Sequence, residues 1–207
     1  KRAANSEAIT VATTISAVNA GWRVVVECVS RTTSADVDAN DYGFRFEAER
    51  PIGAARLLLG VDAAGRFDLS AVNDTLKYDL DGNLTSTLHE VSIESARRDD
   101  LGAFLALNTR IGVASLSGGL RGDLVKTKNS GGYFGDRDTS NSSPSGFVAA
   151  TFAVADGLEV ALQGAHGFRD ALLSDRYYRG ISGRGFITGN PDLEAETSNQ
   201  FDAAVRY

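Results

Sequence analysis

Phe147-Val148-Ala149-Ala150-Thr151-Phe152-Ala153-Val154-Ala155-Asp156-Gly157-Leu158-Glu159-Val160-Ala161-Leu162-Gln163-Gly164-Ala165-His166-Gly167-Phe168 reads as two β-strands joined by a tight turn. Phe147 to Val154 is a β-favouring run. Ala155-Asp156-Gly157 puts Gly where a hairpin needs positive φ, and Leu158 to Phe168 returns. In the returning run Leu158, Val160 and Leu162 share one face, while Glu159, Gln163 and Arg169 take the other. A long loop rich in Gly, Arg and Tyr follows, Arg169 to Ser198, and then a short alternating strand, Phe201 to Tyr207. Half-apolar strands joined alternately by very short and very long connections are the layout of an outer-membrane barrel.

Upstream the pattern recurs. Val113 to Thr127 sets Leu116, Leu120 and Leu124 against Ser115, Ser117, Arg121 and Asp123. Leu84 to Leu107 is expected as one long strand bent around Arg97-Arg98-Asp99-Asp100. Leu101, Ala103, Leu105 and Leu107 would form its membrane portion, with a turn near Asn108 to Gly112. Ala54 to Ser70 carries Leu57, Leu59 and Val61 on one face; Pro51-Ile52-Gly53 turns into it, and Tyr78 to Asn83 is the expected tip beyond. The clearest alternation is Tyr42 to Glu49, with Tyr42, Phe44, Phe46 and Ala48 outward and Gly43, Arg45, Glu47 and Glu49 inward. A soluble sandwich core would not tolerate that charged row. Ahead of it, Ala8 to Val18 and Trp22 to Arg31 read as a hairpin turning at Asn19-Ala20-Gly21, with Trp22 placed for an interfacial aromatic belt. Arg31 to Asn40 and Lys126 to Ser145 are polar and read as loops, the second exposed and mobile.

The expected fold class is therefore all-β: an antiparallel up-and-down meander of about nine strands, part of a large transmembrane β-barrel. Bacterial single-chain barrels have even strand numbers, so an odd count suggests a piece of something larger.

Composition agrees. The 207 residues are 43% hydrophobic, enough for a soluble core, but no run approaches the roughly eighteen apolar residues of a membrane helix. Strands need no such run, because only alternate residues meet lipid. Gly is abundant at 22, Pro scarce at 3 and Met absent, which suits strands and turns. The balance of 21 basic to 27 acidic residues argues against nucleic acid as a partner. Cys28 stands alone and forms no internal disulfide. No apolar signal core follows Lys1-Arg2-Ala3-Ala4-Asn5, so an exported parent protein would begin upstream.

Three pieces carry a family resemblance. Gly164-Ala165-His166-Gly167-Phe168-Arg169, then Tyr177-Tyr178-Arg179-Gly180 with Gly183-Arg184-Gly185, then Gly189-Asn190-Pro191-Asp192-Leu193-Glu194-Ala195-Glu196-Thr197-Ser198 resemble the barrel of the TonB-dependent receptors of Gram-negative bacteria. In that family a strand ending in "GFR" leads into a ligand-side loop that closes with a "GNPDLKPETS" type of sequence. Here Glu194-Ala195 stands where the family favours Lys-Pro. The resemblance implies a place in the cell outer membrane, in contact with its lipid. It implies energised import of a scarce extracellular small ligand: a metal chelate such as a ferric siderophore, cobalamin, haem or an oligosaccharide. TonB would act through a plug domain inside the barrel; residues 1–207 read as barrel throughout, with neither a plug-like segment nor an energy-coupling box. A passive porin shares the strand pattern, and a soluble β-sandwich adhesion module is the third option.

No enzyme is indicated: Ser142, Ser143 and Ser145 lack a partnered base, no nucleophile elbow or phosphate loop occurs, and no cofactor is implied. Asp79-Leu80-Asp81-Gly82-Asn83 has the front half of a calcium loop but lacks its later acidic ligand, which favours a plain turn. His89 and His166 are expected to face solvent or the lumen rather than a metal. The binding candidates are Arg176, Tyr177, Tyr178, Arg179 and Arg184, whose mixture of guanidinium and phenol groups suits anionic, aromatic or chelate ligands. The alternative is that they brace the barrel rim. Pro191 to Ser198 reads as structural, Pro fixing φ where loop becomes strand.

Overall fold

The structure is a computed structural model and describes residues 3–9, 18–19, 22–23, 30–182 and 185–207. In chain order the elements are β1 (Ala3–Ile9), β2 (Val18–Asn19), β3 (Trp22–Arg23), β4 (Ser30–Ile52), β5 (Ala55–Tyr78), β6 (Leu84–Ile111), β7 (Ala114–Ser130), β8 (Asp136–Ala155), β9 (Leu158–Arg169), α1 (Leu173–Tyr177), β10 (Arg179–Ser182), β11 (Gly185–Thr188) and β12 (Glu196–Arg206). Eight strands form one sheet in the order β1-β4-β5-β6-β7-β8-β9-β12, while β2–β3 and β10–β11 are separate ribbons. Each neighbour in the large sheet is antiparallel, giving the expected up-and-down meander.

Register shows how the sequence alternation becomes two faces, because directly opposed residues point the same way. Phe46 lies opposite Val61, Val61 opposite Ala103, Leu105 opposite Leu120, Leu120 opposite Gly146, and Val148 opposite Gly164. Phe44, Leu120, Val148 and Phe201 on this face are all well exposed, Leu120 to 66%. On the other face Arg45 lies opposite Asp62, Asp62 opposite Gly102, and Gly102 opposite Asp123. There Arg121 donates to Asp62 at 2.6 and 2.8 Å and to Asp123 at 2.6 Å. Its guanidinium and that of Arg45 flank the Phe104 ring, 5.8 and 5.0 Å from the centroid. The expected sidedness of Phe44, Phe46, Leu120 and Val160 against Arg45, Glu47, Arg121 and Glu159 is the observed one.

One end of the sheet has short turns at residues 53–54, 112–113 and 156–157, where Gly157 takes φ +77° in the expected hairpin. The other end carries the turns at 79–83 and 131–135 and the long segment 170–195.

Two expected loops are strand. Arg31 to Asn40 belongs to the continuous β4, pairing with β1 on one side and β5 on the other, with a register shift only between Asp38 and Asn40. Lys126 to Ser145 lies mostly in β7 and β8, which part only at 131–135. These extensions show polar residues on both faces, so they lack the alternation that lipid imposes, yet their backbones still satisfy one another across the ladder. Most of the expected Ala8–Val18 and Trp22–Arg31 hairpin, with the belt role of the Trp22 side chain, lies outside the described residues; Asn19 does pair with Trp22 across the expected turn. The bend expected at Arg97 to Asp100 sits slightly earlier. Ser95 has φ +49° and Asp68, across on β5, φ +53°, where the β5–β6 register shifts.

A small core lies where the long segment folds back on the sheet. Leu69, Ala71, Ile93 and Ala96 of the sheet pack against Leu173 and Tyr177 of α1.

Candidate functional site

Residues 170–179 and 189–191 are held against the polar face by buried charge. Asp170 accepts a hydrogen bond from Asn141 Nδ2 at 2.6 Å and one from Arg176 Nη2 at 3.2 Å. Arg98 of β6 approaches the same carboxylate at 3.6 Å and donates to the Ala171 carbonyl at 2.8 Å. Arg176 is fully buried and also donates to the Pro191 carbonyl at 2.8 Å. Tyr177 is fully buried too, its hydroxyl 3.4 Å from Thr127 Oγ1. α1 is short; the Asp175 carboxylate accepts the Leu172 amide at 3.0 Å and closes its first turn.

The Gly189 to Leu193 piece clasps that turn. Gly189 N–H donates to the Tyr178 carbonyl at 2.8 Å and Asn190 N–H to the Asp175 carbonyl at 3.0 Å. A Cβ on Gly189 would fall 2.7 Å from the Arg176 carbonyl oxygen, so glycine is needed for this approach. The Asn190 side chain then accepts the Asp192 amide at 3.0 Å.

Tyr178 and Arg179 are half-buried beside this clasp. The Tyr178 hydroxyl lies 3.1 Å from Asn73 Oδ1 and 3.0 Å from the Ile181 carbonyl, and burial raises its pKa above the ordinary phenol value. Arg179 pairs with Glu90, and its guanidinium sits between the rings of Tyr133 at 4.3 Å and Phe186 at 5.0 Å. Arg184 lies outside the described residues.

The five candidates therefore separate. Arg176 and Tyr177, expected as ligand contacts, are buried underneath the segment, because burying a guanidinium requires a buried carboxylate and Asp170 supplies it. Tyr178 and Arg179 stay at the surface of the mouth. Beside them is a cavity of about 470 Å³ with Leu69, Ile93, Leu173 and Tyr178 as its apolar part and Arg66 and Arg98 at its polar side. Both arginines are satisfied: Arg66 donates to Asp41 at 2.6 and 2.8 Å, and Arg98 to Asp100 at 2.9 Å. Sequence reasoning missed these wall residues, since a basic residue in an alternating strand gives no sign that a distant loop will cover it.

The remaining motifs have local explanations. The Asp79 carboxylate accepts the Asn83 amide at 2.8 Å, the Asn83 side chain at 3.1 Å and the Asp81 amide at 3.0 Å, which holds its pKa below the usual carboxylate value. His89 faces Asp74 at 2.7 Å. His166, expected toward water or the lumen, falls on the apolar face opposite Gly146, and its Nδ1 is 2.8 Å from Asn199 Oδ1; the period-2 register fixes that side.

Residues 10–207 match the family described as "TonB dependent receptor-like, beta-barrel". Among solved structures the chain is similar to one named "Copper transporter OprC", with TM-score 0.65 and 21% identity over 85% of this chain. That match covers 28% of the OprC chain, so the present sequence spans less than a third of its length. No curated protein matches the sequence.

Proposed function

Because this chain belongs to the TonB-dependent receptor-like β-barrel family, a family of the Gram-negative outer membrane, we propose that it is a wall section of a receptor that captures a scarce extracellular solute and imports it with energy supplied through TonB. The polar face would line the lumen, and the end with short turns would face the periplasm. The observation that carries this reading is the inward-packed segment 170–195, which narrows the mouth and leaves the 470 Å³ cavity against Arg66 and Arg98.

The solute class we favour is an organic metal chelate, such as a ferric siderophore. The cavity sets apolar surface from Leu69, Ile93 and Leu173 beside two ion pairs, Arg66 with Asp41 and Arg98 with Asp100, which suits a chelate with a greasy body and a polar periphery. A bare copper ion fits less well. Among the described residues no three His, Cys, Asp or Glu side chains converge, and the sequence has no Met.

The test is uptake of a labelled ferric chelate by cells expressing the complete receptor. Arg179→Ala with Arg184→Ala should weaken capture by roughly tenfold, the order expected for losing a charge-assisted hydrogen bond. Unchanged affinity would assign both residues to the rim. Uptake that persists in cells lacking TonB would favour the porin.

A further inference from the structure

Closing the barrel would pair the outermost strands β1 and β12, but it cannot pair the side of a hairpin that rises above a neighbour already in the sheet. β6 joins β7 only from Arg97 downward, and the turn at 131–135 ends the β7–β8 hairpin beneath the upper part of β6. Tyr133 N–H donates to the Ser92 carbonyl at 3.3 Å, and a Cβ on Gly132 would fall 2.7 Å from the same oxygen, so this turn abuts β6 closely. Above it, among the described residues, Leu84 to Val91 have β5 as their one strand neighbour. About 26 Å of backbone therefore presents an open ladder of N–H and C=O groups on the side where β7 has ended.

This edge is unguarded. Exposed edges are commonly blunted by proline or by charge, and β8 shows it: Asp136 to Ser145 also lack a ladder on the β9 side, which starts at Gly146, but they include Asp136, Arg137, Asp138 and Pro144. The β6 edge reads Leu-Thr-Ser-Thr-Leu-His-Glu-Val, and its carboxylate, Glu90, is taken by Arg179. Leu88 is 54% exposed on the polar face, while Leu84, opposite Tyr78 beyond a register shift, and Val91 are exposed on the other. Lys77 of β5 lies opposite Ser86 on the polar face, exposed and, among the described residues, without an ion pair within 4.0 Å. Asp74 is turned to the other face, where it holds His89 at 2.7 Å. Ser86 is small, so the Lys77 side chain can reach across it toward whatever lies along the edge.

We propose that the β6 edge from Leu84 to Val91 docks the extended tail of a secreted polypeptide by strand addition, with apolar side chains on Leu88 and an acidic one between them on Lys77. A polypeptide is the occupant because its own N–H and C=O groups complement the open ladder. A second copy of this edge is excluded by length. β6 is one strand of 28 residues, and a second β6 laid beside it at strand spacing would run down into the space that β7 holds. The occupant has to end or turn away above Tyr133, as a free tail does. The inference rests on the placement of the short turns toward the periplasm, not on which solute is imported.

The experiment follows the fluorescence anisotropy of a labelled, end-blocked peptide, Thr-Thr-Ile-Thr-Glu-Thr-Ile-Thr, as the complete receptor in detergent micelles is added, with empty micelles as the blank. Saturable binding is expected. Lys77→Glu should weaken it roughly tenfold, and the same variant should recover binding when the peptide carries Lys in place of Glu. Methylating the backbone nitrogens of one alternate set of peptide residues should abolish binding and methylating the other set should leave it, because only alternate amides point at the edge. No saturable binding, equal affinity of the Lys77→Glu receptor for the Glu peptide, or indifference to both methylated sets would each overturn the proposal. Chelate uptake by the parent receptor reports separately: if uptake fails while peptide binding stands, the transport reading is wrong and the docking edge is not.

Discussion

Asp170 is a loop residue that behaves as a core residue. Its side chain is 1% exposed and gathers Asn141, Arg176 and Arg98 from β8, α1 and β6. Removing it would leave the Arg176 guanidinium buried without its counter-charge, which typically costs about 3–5 kcal/mol. A protein escapes such a penalty by releasing the segment rather than unfolding the sheet, because few apolar contacts hold α1. Asp170→Ala should therefore expose the bond after Arg176 to trypsin while strands β5 to β9 stay protected, and Asp170→Asn should lie between the variant and the parent. Equal trypsin resistance in all three would mean that the apolar contacts of Leu173 and Tyr177 suffice to seat the loop.

At the scale of single elements, β5 and β6 share an irregularity where two non-glycine residues, Asp68 and Ser95, take positive φ and the register slips between Arg66 and Leu69. The slip turns Leu69, Ala71 and Ile93 beneath α1. A β-branched side chain is poorly tolerated at positive φ, so Ser95→Val should destabilise the fold by about 1–2 kcal/mol, read as a lower urea midpoint in micelles; an unchanged midpoint would show that the backbone there relaxes freely. The sequence discloses strands wherever lipid forces alternation: Tyr42 to Glu49 and Leu158 to Phe168 are legible by eye. It is silent where a strand rises into water on both sides, as in Arg31 to Asn40, because hydrogen bonding to neighbours sets that structure and leaves no period in side-chain polarity. The site is half legible for a related reason. The cluster Arg176 to Arg179 announces something unusual, but that Arg176 points into Asp170 while Arg179 lies between Tyr133 and Phe186 depends on contacts across dozens of residues of sequence.

As a whole molecule the sheet is open. Among the described residues β1 pairs with β4 alone and β12 with β9 alone, and β12 is exposed along its length, with Phe201 and Val205 bare on its apolar side. Unpaired edges of this kind recruit further strands. The 207-residue chain refolded alone in micelles should run as multimers on size exclusion, and the same chain within a closed barrel as a single species. A monodisperse monomer of the isolated chain would mean that the edges are protected in a way that the register does not predict.

The strands also differ greatly in length. β6 has 28 residues, about 90 Å along its path, and β9 has 12, about 40 Å. With a shared floor at the short turns, the surrounding palisade stands tall on the β5–β6 side and drops to a notch at β9 and β12. The segment anchored at Asp170 starts from the sill of that notch and leans across to β5 and β6, so within this sheet the inward-packed turn springs from the lowest part of the rim and rests on the tallest.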